Sequence, residues 1–228
     1  MRAVLRIVIP GLALLGAWVE PSWPQPPPDP DLAAADPPGL PPIGKWMLTA
    51  QGAPSDWLGE IYQGKLLREP INVIVIDEAA ISREDATARL LAAAAEAGYP
   101  VRLGHSAGYQ AVIDEKPYAQ LPKGWDDAFS NDVFEFSNNH GRIFGPYELG
   151  QSYLFTGAFS RERVDPLRWP GHRFASFNEA RDDFARRLDL GTAYKAAGSV
   201  PLDNDLKDDP TVTTGDHDGK AALLRAGR

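Results

Sequence analysis

The chain reads as a single α+β domain over about residues 45–225, with a mixed, mainly antiparallel sheet packed against at least three helices. Three observations predict this class. The β-branched run Ile71–Ile76 is followed by a helix-patterned segment, the order that begins an α/β unit. Aromatic segments between residues 132 and 160 alternate with period two and lie too close together for helical crossovers. A capping-box sequence, Ser176-Phe177-Asn178-Glu179, then opens a second amphipathic helix.

Residues 1–19 carry Arg2 and Arg6 ahead of the apolar run Ile7 to Val19, the pattern of a secretory signal peptide or an uncleaved signal anchor. Thirteen such residues fall short of the roughly 20 that span a bilayer comfortably. Residues 20–43 are rich in proline, which fixes φ and removes backbone donors. They read as a semi-rigid linker between the membrane and the folded domain.

Ile71–Ile76 is expected as a central strand covered on both faces. Ser82 offers an N-cap oxygen, Glu84 and Asp85 suit the first turn of a helix, and Gly98 suits its end. Val101–Leu103 reads as a short strand, and Ala107 to Glu115 as a second helix stopped by Pro117. Asp132–Ser137 alternates as a strand, 138–141 has turn chemistry, and Arg142–Phe144 returns until Gly145-Pro146 breaks it. Ser152–Ser160 alternates again, with Tyr153, Phe155, Gly157 and Phe159 on one face, to complete a three-stranded meander. In the helix after Ser176, the residues Phe177, Ala180, Phe184 and Leu188 form one apolar stripe that ends at Gly191. The polar stretch from Ser199 to Asp209 reads as loop, and 211–224 as a last hairpin or a disordered tail.

Composition excludes several functions. The chain has 228 residues, 43% of them hydrophobic, so it can bury a sizeable core. Its 23 basic and 31 acidic residues leave a net charge of −8, which argues against nucleic acid as a partner. The absence of Cys excludes disulfides, thiolate metal sites and a Cys nucleophile. The four His show no H-x-x-x-H or H-x-H spacing, so no metal site and no cofactor is expected.

Two clusters carry candidate chemistry. Gly104-His105-Ser106-Ala107-Gly108 spells G-x-S-x-G, which in hydrolases exposes a nucleophilic serine on a tight strand-to-helix turn. The catalytic reading makes Ser106 the nucleophile with His140, His172 or His217 as base; the structural reading makes it the cap of the following helix. The second cluster is Asn138 to Arg142 at the expected hairpin tip. With His172 from the loop before the last strong helix, His140 and Arg142 are expected to converge on a ligand-binding site for a small polar molecule. The acidic run Asp203, Asp205, Asp208 and Asp209 lacks the order of a calcium loop and reads as solvated.

Trp57-Leu58-Gly59-Glu60, Gly64-Lys65 and Glu69-Pro70-Ile71-Asn72-Val73, followed by Gly98-Tyr99, resemble the opening of LssY C-terminal-type domains. Asn139-His140-Gly141-Arg142-Ile143-Phe144 and Tyr153 to Ala158 are similar to that family's later strands, and His172 with 179–188 to its histidine segment and helix. One of the family's paired histidines is Asn139 in this chain. The resemblance covers about residues 55–225 and implies an α+β domain of bacterial envelope proteins with no established reaction. Together these features lead to the expectation of an exported, periplasmic or cell-envelope domain that binds a small polar ligand or an envelope protein. Residues 7–19 would serve as a membrane tether if uncleaved, and an esterase-like serine hydrolase is the alternative.

Overall fold

The computed structural model describes residues 34–123, 127–167 and 171–227. The apolar run of residues 7–19 and the proline cluster up to Pro30 lie outside them. No helix among the described residues is long and apolar enough to cross a membrane.

In chain order the elements are β1 (Ala34–Ala35), β2 (Ile43–Gly44), β3 (Asp56–Tyr62), β4 (Lys65–Arg68), β5 (Val73–Asp77), α1 (Arg83–Glu96) and β6 (Val101–Leu103). There follow β7 (Gln110–Ile113), β8 (Lys116–Leu121), β9 (Asp127–Ser130), β10 (Asn139–Leu149), β11 (Ser152–Val164) and β12 (His172–Ser176). The chain closes with α2 (Phe177–Gly191), β13 (Lys195–Pro201), β14 (Val212–Thr213) and β15 (Lys220–Ala226). The main sheet runs β1-β2-β7-β8-β10-β11-β5-β15-β13, with β12 beside β11, and β9 joining β6 to β10. A smaller sheet holds β14, β4 and β3.

This corrects the α+β class. Among the described residues 46% lie in strand and 15% in helix, the helices number two, and the main sheet curls into a nearly closed barrel-like form. Among the described strands only β5–β15 and β4–β14 pair in parallel. The expectation overweighted helix because the segment from Ala107 to Glu115 supplies the first strand and the turn of a β-hairpin. Asp114 (φ 51°) and Glu115 (φ 61°) both adopt positive φ, the geometry of a type I′ turn, between paired β7 and β8. Residues 34–44, at the end of the proline-rich stretch, also join the main sheet through β1 and β2.

β5 organises the core. Every residue of Val73–Asp77 is buried, and its two faces serve two apolar clusters. Val73 and Val75 pack outward with Leu90 of α1 and Phe184 and Leu188 of α2. Ile74 and Ile76 pack inward with Ile43, Ile113, Phe144 and Leu154. The strand ends on Asp77, whose buried carboxylate accepts from Tyr194 Oη at 2.7 Å, Arg89 Nε at 2.8 Å and the amides of Ala79 and Ala80. Those bonds hold its carboxyl below the ordinary range against the opposing effect of burial.

Both helices begin where the caps predict. Ser82 Oγ accepts from the Asp85 amide at 3.1 Å, and Ser176 Oγ from the Glu179 amide at 2.8 Å. Phe177, Ala180, Phe184 and Leu188 of α2 are all buried, each large side chain contributing about 1.5–3 kcal/mol. Phe184 stacks on Phe159 of β11 at 4.1 Å between centroids.

The middle of the chain departs most from expectation. Asp132–Ser137 is not a strand; it is an irregular loop that leaves Phe136 60% exposed. Asn138 and Asn139 are buried rather than at a hairpin tip, and β10 runs unbroken from Asn139 through Gly145-Pro146, where the register with β11 shifts. Gly141 permits this by lacking a side chain. A Cβ there would lie 2.4 Å from the Phe159 ring and 2.7 Å from the Ala158 carbonyl. The tail is ordered too: β15 pairs with β13 and β5, and β14 with β4, so 211–224 is neither a hairpin nor a loose tail.

Candidate functional site

The inner face of the long β10–β11 hairpin turns polar toward one end. Phe144 and Ala158 belong to the inner apolar cluster, and alternation carries the same face on to Arg142 and His140 in β10 and to Ser160 and Glu162 in β11. His140 pairs with Ser160 in register, and the Glu162 amide donates to the Asn138 carbonyl at 2.9 Å. β12 brings His172 alongside, its Nδ1 3.1 Å from Glu162 Oε1. His140, Arg142, Glu162 and His172 form one wall of a cavity of about 610 Å³. Segment 104–109 supplies Gly104, His105, Ser106 and Tyr109, β3 supplies Trp57 and Leu58, and Glu69 follows β4.

Asn138 fixes the proton on His140. Its Nδ2 donates to the Phe136 carbonyl at 3.0 Å and to Glu162 Oε1 at 2.5 Å, both pure acceptors. Its Oδ1 therefore faces the Ser130 hydroxyl at 3.2 Å and His140 Nδ1 at 3.1 Å, so Nδ1 carries the hydrogen. The lone pair of His140 is left on Nε2, 3.4 Å from Ser160 Oγ. Ser160 Oγ itself accepts from Trp57 Nε1 at 3.1 Å, which turns its hydroxyl proton toward the imidazole.

Arg142 ties the 104–109 segment to the sheet. Its Nε and Nη2 donate to the Ser106 carbonyl at 3.1 and 2.5 Å, and its guanidinium lies 4.7 Å from the centre of the Tyr109 ring. Gly104 adopts φ +97° against Phe134, where a Cβ would meet the ring at 2.5 Å. Phe134 in turn stacks on His172 at 5.7 Å. The irregular loop thus lays an aromatic wall across the polar floor.

Burial sets the charges. His140, with His105 and Arg142 beside it, is held well below the ordinary histidine range and is neutral. Burial raises Glu162, opposed by His172 and by the Asn138 hydrogen bond. Glu69 is pushed up to about 7 by burial, opposed by Arg142 and by the Ser55 hydroxyl that donates to Oε2 at 2.8 Å. The His105 and His140 rings lie 4.7 Å apart between centres, tilted by 40°, and one ligand atom each from His105, His140 and Glu162 lies within 4.8 Å of the others. These are the residues able to hold a metal. Linear spacing of the histidines does not register this cluster, because its three members come from three separate segments.

Ser106, His140, Arg142 and His172 all line this cavity. Ser106 does not cap a helix, since β7 follows it, and its Oγ lies 2.8 Å from Tyr109 Oη and 3.4 Å from Arg142 Nη2. Among the described hydrogen bonds none joins Ser106 to an imidazole. His217 is elsewhere, buried against Asn204 Oδ1 at 2.8 Å, and burial lowers it to about 4. Sequence reasoning missed Glu162, Glu69 and the aromatic wall of Trp57, Tyr109 and Phe134. The only signal for Glu162 was its place two residues beyond Ser160 on an alternating strand. Comparison with protein-family models, with curated proteins and with solved structures gives no match to this chain.

Proposed function

We propose that this chain is an exported cell-envelope protein whose cavity binds a small amphipathic molecule. One observation carries the reading: aromatic walls from Trp57, Tyr109 and Phe134 surround a floor of convergent imidazole and carboxyl groups in about 610 Å³. Pockets of roughly 300–1,000 Å³ with apolar walls and a few placed polar groups suit small organic ligands, whereas a protein partner needs a broad surface. The ligand's flat apolar body fits the walls, and its polar head meets His105, His140 and Glu69. Export is supported by Arg2, Arg6 and the apolar run Ile7 to Val19, and an envelope setting by the resemblance to LssY C-terminal-type domains.

The test is a thermal-shift and fluorine-NMR screen of small aromatic acids, alcohols and amines. A ligand at ten times its Kd adds about 1.4 kcal/mol of stability. Hits are expected on the wild-type chain and not on Ser106→Trp, which plugs the cavity from an exposed position and should melt normally. A screen with no hits, or hits that bind the plugged variant equally, overturns the reading.

A further inference from the structure

We propose that His105, His140 and Glu162 form a binding site for one divalent first-row transition ion, zinc above all, with an open coordination position toward the cavity. All three side chains are buried, and their ligand atoms lie within 4.8 Å of one another. Tetrahedral zinc with bonds of about 2.0–2.2 Å needs donors about 3.3–3.5 Å apart, so side-chain rotations moving the atoms by roughly 1 Å complete the geometry.

The donor chemistry is selective. Two imidazoles and one carboxylate, without thiolate, match the three-ligand sets of zinc and other borderline ions and not the all-oxygen shells of calcium or magnesium. Three protein ligands at a cavity wall leave a fourth position for water or for the head of a bound molecule.

The surroundings are those of a ligand set already oriented. The Asn138 amide holds His140 by Nδ1 and leaves the Nε2 lone pair for an ion. The same amide and His172 both engage Glu162 at Oε1, which leaves Oε2 as the coordinating oxygen. Partners of this kind fix ligand orientation and typically contribute ten- to a hundredfold in metal affinity. Ser160 Oγ, at 3.4 Å, makes a long contact with His140 Nε2 that an ion readily replaces.

The test uses the purified chain, stripped with a chelator and titrated with Zn²⁺ by calorimetry and with Co²⁺ by visible absorption. One equivalent is expected to bind, with the intense d–d bands of a four- or five-coordinate cobalt site. His105→Ala, outside the strands and helices, should abolish binding with an unchanged far-UV spectrum. Glu162→Gln should also abolish it, and His172→Gln should weaken it about ten- to a hundredfold while keeping the stoichiometry. No saturable binding, or binding that survives His105→Ala and Glu162→Gln, overturns the site whether or not the cavity takes an organic ligand.

Discussion

Glu69 holds a proton near neutrality because its carboxyl is buried beside the cavity, and the Ser55 hydroxyl and the Arg142 charge only partly offset that burial. The folded chain thus binds this proton more tightly than the unfolded chain, whose carboxyl titrates near 4.5. Stability at this position is therefore greatest below pH 4.5 and is lost as pH rises toward about 7. The full cost by pH 8 is on the order of 3 kcal/mol. Glu69→Gln keeps an acceptor for Ser55 and removes the titration. Urea unfolding should find the variant more stable than wild type at pH 8 and indistinguishable at pH 4.5; an equal difference at both pH values contradicts the assignment. At this scale the sequence marked His140, Arg142 and His172 by residue type, since a histidine or arginine amid turn residues invites attention. It hid Glu162, because Arg161-Glu162-Arg163 looks like the solvated end of a strand.

Among the elements, those governed by local rules were legible. Ser82 and Ser176 each supply the side-chain oxygen that satisfies an orphan amide, and an all-apolar run such as Val73–Ile76 has to be covered on both faces. Elements whose conformation depends on distant contacts were not. Asp114 and Glu115 take positive φ without glycine, so nothing local announces the β7–β8 turn. Asn139-His140-Gly141 has the composition of a turn, yet Gly141 lies in a strand because Phe159 fills the place of its side chain. Gly141→Ala should therefore destabilise by about 1–3 kcal/mol through overpacking, although alanine is ordinarily no worse than glycine in a strand. Chemical denaturation measures this directly. A neutral or stabilising alanine would mean that Phe159 is not seated against β10.

At the scale of the whole molecule, the barrel-like sheet explains why residues 57, 69, 105, 140, 162 and 172 meet although the sequence scatters them. Two long strands lie side by side across the middle of the sheet, and their inner face passes from apolar to polar at the end where β12 and segment 104–109 arrive. The charge balance is readable from composition, because it does not depend on topology. The cavity was not, since closing it requires knowing that Ala107–Glu115 is hairpin and that 131–138 is loop.

The most direct measurement is amide chemical-shift mapping of the chain with the strongest hit from the aromatic fragment screen. The largest shifts are expected on Trp57, Ser106, Phe134, Arg142 and Glu162, with saturation at one site. Shifts confined to the charged groove of Asn131, Arg161 and Arg187, or spread evenly over the surface, would contradict it.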